Sequence, residues 1–304
     1  MSLIYRLIFK GLACLPLPLL HGAGALLGRL AYRLSPRTRA QTRANLVQAF
    51  GAAEADRLLP TVMAESGKGA FELPTTWLSS LEAVTDRVKQ VSGWEHVAEA
   101  QARGKGVIFL TPHLGCFEIA AQYLARHAHG VPITVLYREP KQAWLKEFLL
   151  AGRVRGERMK VAAADLAGVR SLIRALKHKE MVGLLPDQAP GAGQGEWLPF
   201  FGRPAYTMTL AARLTETGAA TLFVYMERLP GGQGYHYHIR PPLTPLEGDT
   251  VARAAQINRE VEAMIRECPA QYLWSYNRYK QPSGAPPAPE AKAAAPTNPP
   301  PTAP

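Results

Sequence analysis

"GVIFLTPHLGCFEIAAQYLARHA", residues 106–128, changes character halfway along. Val107–Leu110 form an unbroken apolar run between Gly106 and Pro112, the pattern of a strand buried on both faces. From 115 to 128 the apolar residues recur at helical spacing, with Ile119, Ala120, Tyr123 and Leu124 on one face. Pro112 and Gly115 interrupt regular structure between the two halves. A buried strand leading straight into an amphipathic helix is the first half of a parallel strand–helix–strand unit.

The pattern continues outward from this stretch. "PITVLYR" (132–138) reads as the next strand, with a helix over 141–152. "LAGVRSLIRALKHK" (166–179) has helical periodicity, and "EMVGLLPDQ" (180–188) is another buried strand. "YTMTLAARLTETG" (206–218) reads as a helix, "AATLFVYMERL" (219–229) as a strand, and "GYHYHIRPPL" (234–243) as a strand with alternating faces. Residues 250–267 close with an amphipathic helix. This alternation implies an α/β fold, a mostly parallel sheet flanked by helices on both faces. In such sheets chemistry collects beyond the carboxyl ends of the strands. Three strands end in polar groups: His113, Arg138, and Asp187 with Gln188.

Four segments follow: 1–34, hydrophobic and basic; 35–86, helical and packed on the core; 87–280, the α/β core; and 281–304. The last, rich in Pro and Ala without apolar period, is expected to be disordered, since it buries too little surface to offset the entropy of ordering. The first segment has no Asp or Glu, and its stretch 11–28 has no formal charge at all. That stretch reaches the lower end of the roughly 17–25 residues a spanning helix needs, although two prolines weaken a span. Arg29, Arg33, Arg37, Arg39 and Arg43 form a basic skirt behind it, on the cytoplasmic side by the positive-inside tendency. The expectation is a segment that dips into or spans an anionic membrane. The net charge of +11 calls for an anionic partner in any case. Cys14, Cys116 and Cys268 form no CxxC pair, which argues against a disulfide framework or a cysteine zinc site.

His113 and Glu118 are the sharpest chemical candidates. Five apart on one helix they point in different directions, about 140° apart at 3.6 residues per turn. They meet only if His113 lies in the loop and Glu118 in the first helical turn. The expectation is a base with a carboxylate that fixes its tautomer. There is no G-x-S-x-G, no Walker A and no H-E-x-x-H. A His/Glu pair without a protein nucleophile suits direct deprotonation of a substrate hydroxyl.

These residues carry a resemblance. "HLGCFE" (113–118) matches the H-x4-D/E motif of the glycerolipid acyltransferase superfamily. Its longer context resembles the bacterial lipid A late acyltransferases through "YREPK" (137–141), "GRVRGERM" (152–159), "IRALK" (173–177), "PDQ" (186–188), "PFFGRPAYT" (199–207) and "YLWSYNRYK" (272–280), in that order. Cys116 departs from the pattern, where the family more often has Asn. The resemblance implies an inner-membrane enzyme of the cytoplasmic face. It would move a fatty acyl group from acyl carrier protein or coenzyme A to a hydroxyl of a lipid A precursor, with no cofactor and no metal. His113 would take the hydroxyl proton and Glu118 would hold the imidazole. Arg153, Arg155 and Arg138 are candidates for the oxyanion or a sugar phosphate, arginine being a planar, bidentate donor. Asp187, with Gln188, is expected to place the loop 188–204. Trp197, Phe200 and Phe201 line an acyl channel or simply pack. A lysophospholipid or an aminolipid is the alternative acceptor.

Other motifs read more plainly. Cys116 is a buried structural cysteine rather than a thiolate nucleophile. "HYH" (236–238) puts two histidines on one strand face, with no carboxylate nearby in sequence to complete a metal site. "GAGALLG" (22–28) lacks dinucleotide spacing and reads as close helix packing. "SYNRYK" carries no accompanying nucleic-acid motif, so no nucleic acid partner is expected.

Overall fold

The structure, a computed structural model, describes residues 2–137 and 158–289. Four helices come first: α1 (Ser2–Ala13), α2 (Leu17–Leu34), α3 (Pro36–Phe50) and α4 (Ala52–Leu78). The uncharged stretch 11–28 is therefore not one rod, because the chain breaks between α1 and α2 at Pro16. Among the described residues no helix is long and apolar enough to cross a membrane. Helix α2 instead lies along α4 through glycines. A Cβ on Gly28 would sit 2.4 Å from the Met63 carbonyl oxygen, and one on Gly67 would sit 2.0 Å from that of Gly24. The "GAGALLG" glycines thus let two backbones touch.

After the short α5 (Leu81–Thr85) the chain builds a mixed sheet. Its strands are β1 (Val88–Ser92), β2 (Val107–Leu110), β3 (Ile133–Tyr137), β4 (Met159–Ala163), β5 (Met181–Leu184), β8 (Ala220–Arg228) and β9 (Tyr235–Arg240). The order is β1-β9-β8-β2-β5-β3-β4, parallel throughout except for the antiparallel β8/β9 pair. A separate antiparallel hairpin, β6 (Gly195–Phe200) with β7 (Arg203–Met208), follows β5. The helices between them are α6 (Trp94–Ala102), α7 (Phe117–His127), α8 (Leu166–Lys177), α9 (Leu210–Thr215) and α10 (Thr250–Glu267). Asp165 and Asp249 cap α8 and α10, each accepting a hydrogen bond from an amide three residues on.

Each face of the sheet has its own core, as the unbroken apolar strands require. Ile108 and Leu110 of β2 pack with α3, α4, α8, α9 and α10, while Val107 and Phe109 face α6 and α7. Three details differ from the sequence reading. The helix expected at 206–218 begins only at Leu210, because Tyr206–Met208 belong to the hairpin strand β7. Strands β1, β4 and β6 lie in short, mixed-polarity stretches that periodicity does not mark. Residues 281–289, inside the segment expected to be disordered, are described, with Ala285 buried and the Pro286 carbonyl accepting from Trp197 Nε1 at 2.9 Å. The helix expected over 141–152 lies outside the described residues.

Candidate active site

Strands β2 and β5 are parallel neighbours with Leu110 opposite Leu184. Both then run through a proline into a polar residue, His113 after Pro112 and Asp187 after Pro186. Each polar residue lies three positions beyond the paired leucines, so the two side chains emerge side by side at the sheet's carboxyl edge. His113 Nδ1 lies 2.9 Å from Asp187 Oδ1, and the His113 amide donates to Asp187 Oδ2 at 3.1 Å. Asp187 is almost fully buried, its side chain 2 % exposed against 17 % for His113. Burial opposes ionisation of Asp187, but His113 and two backbone donors overcome it and hold the carboxyl below its usual range. An ionised Asp187 accepts a hydrogen bond from Nδ1–H, which leaves the lone pair on Nε2. Gln188 Nε2 lies 3.2 Å from that nitrogen and donates to it.

The hydrogen-bond partner of the imidazole in this structure is Asp187, a contact that the H-x4-E spacing, which points to Glu118, does not contain. Helix α7 starts at Phe117, which puts Glu118 in its first turn. There its carboxylate accepts from Trp77 Nε1 of α4 at 3.4 Å. His113 and Glu118 share a cleft even so. That cleft, about 280 Å³, lies between α4, the 113–118 loop and residues 271–273. Phe117 and Glu118 also line a small apolar cavity of about 40 Å³ between α7 and the sheet, past Leu124, Ile133, Val135 and Val224. The cleft comes close to the ~300–1,000 Å³ range of small-molecule sites, and the small cavity falls well below it.

The loop that carries His113 has its backbone fixed on several sides. The Leu273 amide donates to the His113 carbonyl, the Gly115 amide to Gln271, and the Cys116 amide to Met226. Gly115 has φ +62°, and a Cβ there would sit 1.8 Å from the Met226 carbonyl oxygen. Only glycine fits that turn.

Of the other residues singled out in the sequence, Arg138, Arg153 and Arg155 lie outside the described residues. Phe200 and Phe201 line neither cavity. They are buried in the core with Trp274, and Phe201 meets Phe50 edge-on, so they pack. The Cys116 thiol is buried and pushed well above its usual range by desolvation and by the nearby Glu72 charge, which keeps it protonated. Arg278 of "SYNRYK" is buried too, donating to Tyr206 O and Thr207 Oγ1, so it is no nucleic-acid contact. Tyr276 of the same block accepts from the Ala189 amide and so steadies the loop after Asp187.

The "HYH" pair does have a carboxylate neighbour. Glu227 lies across the ladder from His236 and is 2.9 Å from His238 Nε2, and one ligand atom from each of the three falls within 4.8 Å of the others. The facing ring nitrogens are already engaged, that of His238 with Glu227 and that of His236 with Ser92 Oγ.

A family model described as bacterial lipid A biosynthesis acyltransferase matches residues 1–281. The chain is 29% identical over 279 residues to the lipid A biosynthesis lauroyltransferase of Escherichia coli K12, covering 90% of this chain and 89% of that protein. It is 27% identical over 276 residues to the palmitoleoyltransferase of the same organism, covering 88% and 86%. It is also 28% identical over 222 residues to a phosphatidylinositol mannoside acyltransferase of Mycobacterium tuberculosis H37Rv, covering 70% and 68%.

Proposed function

Because the chain belongs to the bacterial lipid A biosynthesis acyltransferase family, we propose that it transfers a fatty acyl group from a thioester donor to a hydroxyl of a lipid A precursor, with His113 as the general base. The observation that carries this reading is the His113–Asp187 pair, whose imidazole lines the cleft between α4 and the 113–118 loop. Asp187 fixes the tautomer and stabilises the imidazolium, as the carboxylate of a triad does. Gln188 stands where the acceptor hydroxyl must approach Nε2, and its side chain swings aside as the hydroxyl binds.

In the reaction His113 Nε2 takes the hydroxyl proton while that oxygen bonds to the thioester carbonyl carbon. The tetrahedral intermediate then collapses, the carbon–sulfur bond breaks, and His113 returns the proton to the departing thiolate. No covalent enzyme intermediate is needed. The acyl chain lies along that cleft, with Phe117 and Glu118 on its wall. The donor is acyl carrier protein or coenzyme A.

We further propose that the chain works at the cytoplasmic face of the inner membrane, held there by α2. Leu19, Leu26, Leu27, Leu30 and Leu34 of that helix face solvent, while Leu17, Leu20 and Tyr32 pack inward. Arg29 and Arg33 flank the outer leucines, and Arg37 and Arg39 follow on α3. Basic residues beside an anionic surface contribute about 1 kcal/mol each. Replacing these four arginines with Gln should weaken binding to anionic vesicles more than to neutral ones, and equal binding to both would refute the electrostatic part.

One specific observation favours a second reading of the acceptor. A relative named phosphatidylinositol mannoside acyltransferase is as similar as the lipid A enzymes are, over a shorter stretch. Mass spectrometry of lipids from a strain lacking the protein separates the two. A missing secondary acyl chain on lipid A supports the first reading. An unaltered lipid A together with an underacylated glycolipid or phospholipid supports the second.

A further inference from the structure

A second charged group lies beside the His113 loop, at the wall of the same cleft, and the chemistry above makes no use of it. Arg228 ends β8 and Glu72 lies in α4, and both side chains are almost completely buried. Arg228 Nε donates to Glu72 Oε2 at 2.7 Å, and one terminal nitrogen donates to the Gly115 carbonyl at 2.9 Å. Glu65 Oε2 lies 3.7 Å from the other. The second Glu72 oxygen meets His21 Nε2 of α2 at 2.6 Å and accepts from Tyr235 of β9 at 3.0 Å. One buried carboxylate thus ties together α2, α4, β8 and β9, and through Arg228 the loop two residues from His113.

Stability does not explain this arrangement. A buried ion pair replaced whole by apolar side chains of similar size often leaves a protein as stable or more so. What an apolar pair cannot do is donate to a loop carbonyl. The Gly115 carbonyl points into the buried side, and Gly115 itself is held in its left-handed turn by the close approach to Met226. The guanidinium completes that clamp on the peptide between the turn and α7.

We propose that Arg228 is a positioning residue for acyl transfer: anchored by Glu72, its guanidinium fixes the Gly115 carbonyl and thereby holds His113 and the start of α7 in reacting register. The proposal rests on the reading of His113 as the base. It also means that α2, the helix assigned above to the lipid surface, is joined to the catalytic loop through the His21–Glu72 contact.

The test uses the full chain in detergent micelles, with an acyl thioester donor and a lipid A precursor. Arg228→Lys keeps the charge beside Glu72, but an ammonium cannot bond Glu72 and the Gly115 carbonyl in the same fork geometry. Its kcat should fall roughly 100-fold, the cost of a small misplacement of reacting groups. KM for both substrates should stay within about threefold, since the lost contact acts on the reacting geometry and not on uniform binding. Glu72→Gln with Arg228→Met removes both charges together, so its melting temperature should stand above that of Arg228→Met alone while kcat stays low. A double variant that regains kcat along with its melting temperature would show a purely structural pair and overturn the proposal. So would an Arg228→Lys enzyme with wild-type kcat, a result that does not depend on the double variant folding. His113→Ala separates the two readings. If it is inactive while Arg228→Lys is fully active, only the positioning role fails, and if it is active the base assignment fails first.

Discussion

The His113 loop is held by two acid–base pairs, and they differ in how deeply they are buried. In one, Asp187 grips an imidazole that is still 17 % exposed. In the other, Glu72 and Arg228 reach the wall of the same cleft but are almost completely buried. Only the first pair includes a nitrogen base that lines the cleft, the His113 imidazole. In the second, burial works against the Glu72 charge, but Arg228 and His21 win and hold the carboxyl at about 2. Arginine does not release its proton at all. A pair locked in its charged form does no acid–base chemistry, but it sets geometry. The comparison separates a chemical clasp from a mechanical one on the same few residues.

The largest effect should come from breaking the chemical clasp. His113→Ala is expected to lower acyl transfer roughly 100- to 10,000-fold while the protein stays folded, because it removes a positioned base that lines the cleft. Asp187→Asn should approach the same loss. An amide presents an N–H to Nδ1 and forces the ring proton onto Nε2, the defect that costs about 10,000-fold in a Ser–His–Asp triad. Single-turnover transfer by the two purified variants checks this. A nearly active Asp187→Asn enzyme would return the orienting role to Glu118.

Gly115→Ala attacks the point where the two clasps meet. The added Cβ would stand 1.8 Å from the Met226 carbonyl oxygen, so the loop must shift. A displacement near 1 Å at reacting groups costs roughly 100-fold in rate. The expected outcome is a folded, membrane-binding protein with that loss in kcat. Wild-type kcat would mean that the loop relaxes without moving His113.

A smaller effect tests the mechanical clasp by pH. Folding lowers the Glu72 pKa from its ordinary 4.5 to about 2, so the unfolded chain binds more protons in that window. The contribution of Glu72 to stability is therefore full above its unfolded pKa and is lost as the pH falls from about 4.5 toward 2. The melting temperature of the wild type should drop through this range, and Glu72→Gln should drop less steeply from a lower starting value. Parallel curves for the two proteins would remove Glu72 from the account of acid unfolding.

The chemical clasp was half legible in the sequence and the mechanical one was not. "VIFLTPH" and "VGLLPDQ" share a strand–proline–polar form, and both strand ends stand out on reading. What is missing is that β2 and β5 are neighbours in register, a long-range fact that local periodicity does not contain. Without it the contact between His113 and Asp187, distant in sequence, cannot be read, and Glu118, close in sequence, is the carboxylate the spacing offers. His21, Glu72 and Arg228 leave even less trace. His21 and Glu72 are single polar residues in apolar stretches, Arg228 follows Glu227 at an ordinary strand end, and only packing α2 and α4 against β8 brings them together. Strands with unbroken apolar runs were readable because burial on both faces needs them. The hairpin at 195–208 was not, since its residues alternate irregularly and a helix pattern overlaps its end.

The smallest expected effect is at Cys116, which adjoins the mechanical clasp and takes no part in the chemical one. Its sulfur is buried, 3.9 Å from Thr76 Oγ1, and desolvation together with the Glu72 charge keeps the thiol protonated. A protonated thiol is a poor nucleophile, and direct attack by the substrate oxygen needs none. Cys116→Ser substitutes a hydroxyl of similar shape with a hydroxyl partner already in reach on Thr76. Its transfer rate should match the wild type within about twofold, as for a substitution that changes neither base nor geometry. Pretreatment with a thiol reagent or a chelator should leave the rate unchanged as well. If Cys116→Ser abolished transfer while Asp187→Asn did not, the sulfur would be the nucleophile and His113 its activator, and the reaction would pass through an acyl-enzyme detectable as an added fatty acyl mass on the intact protein.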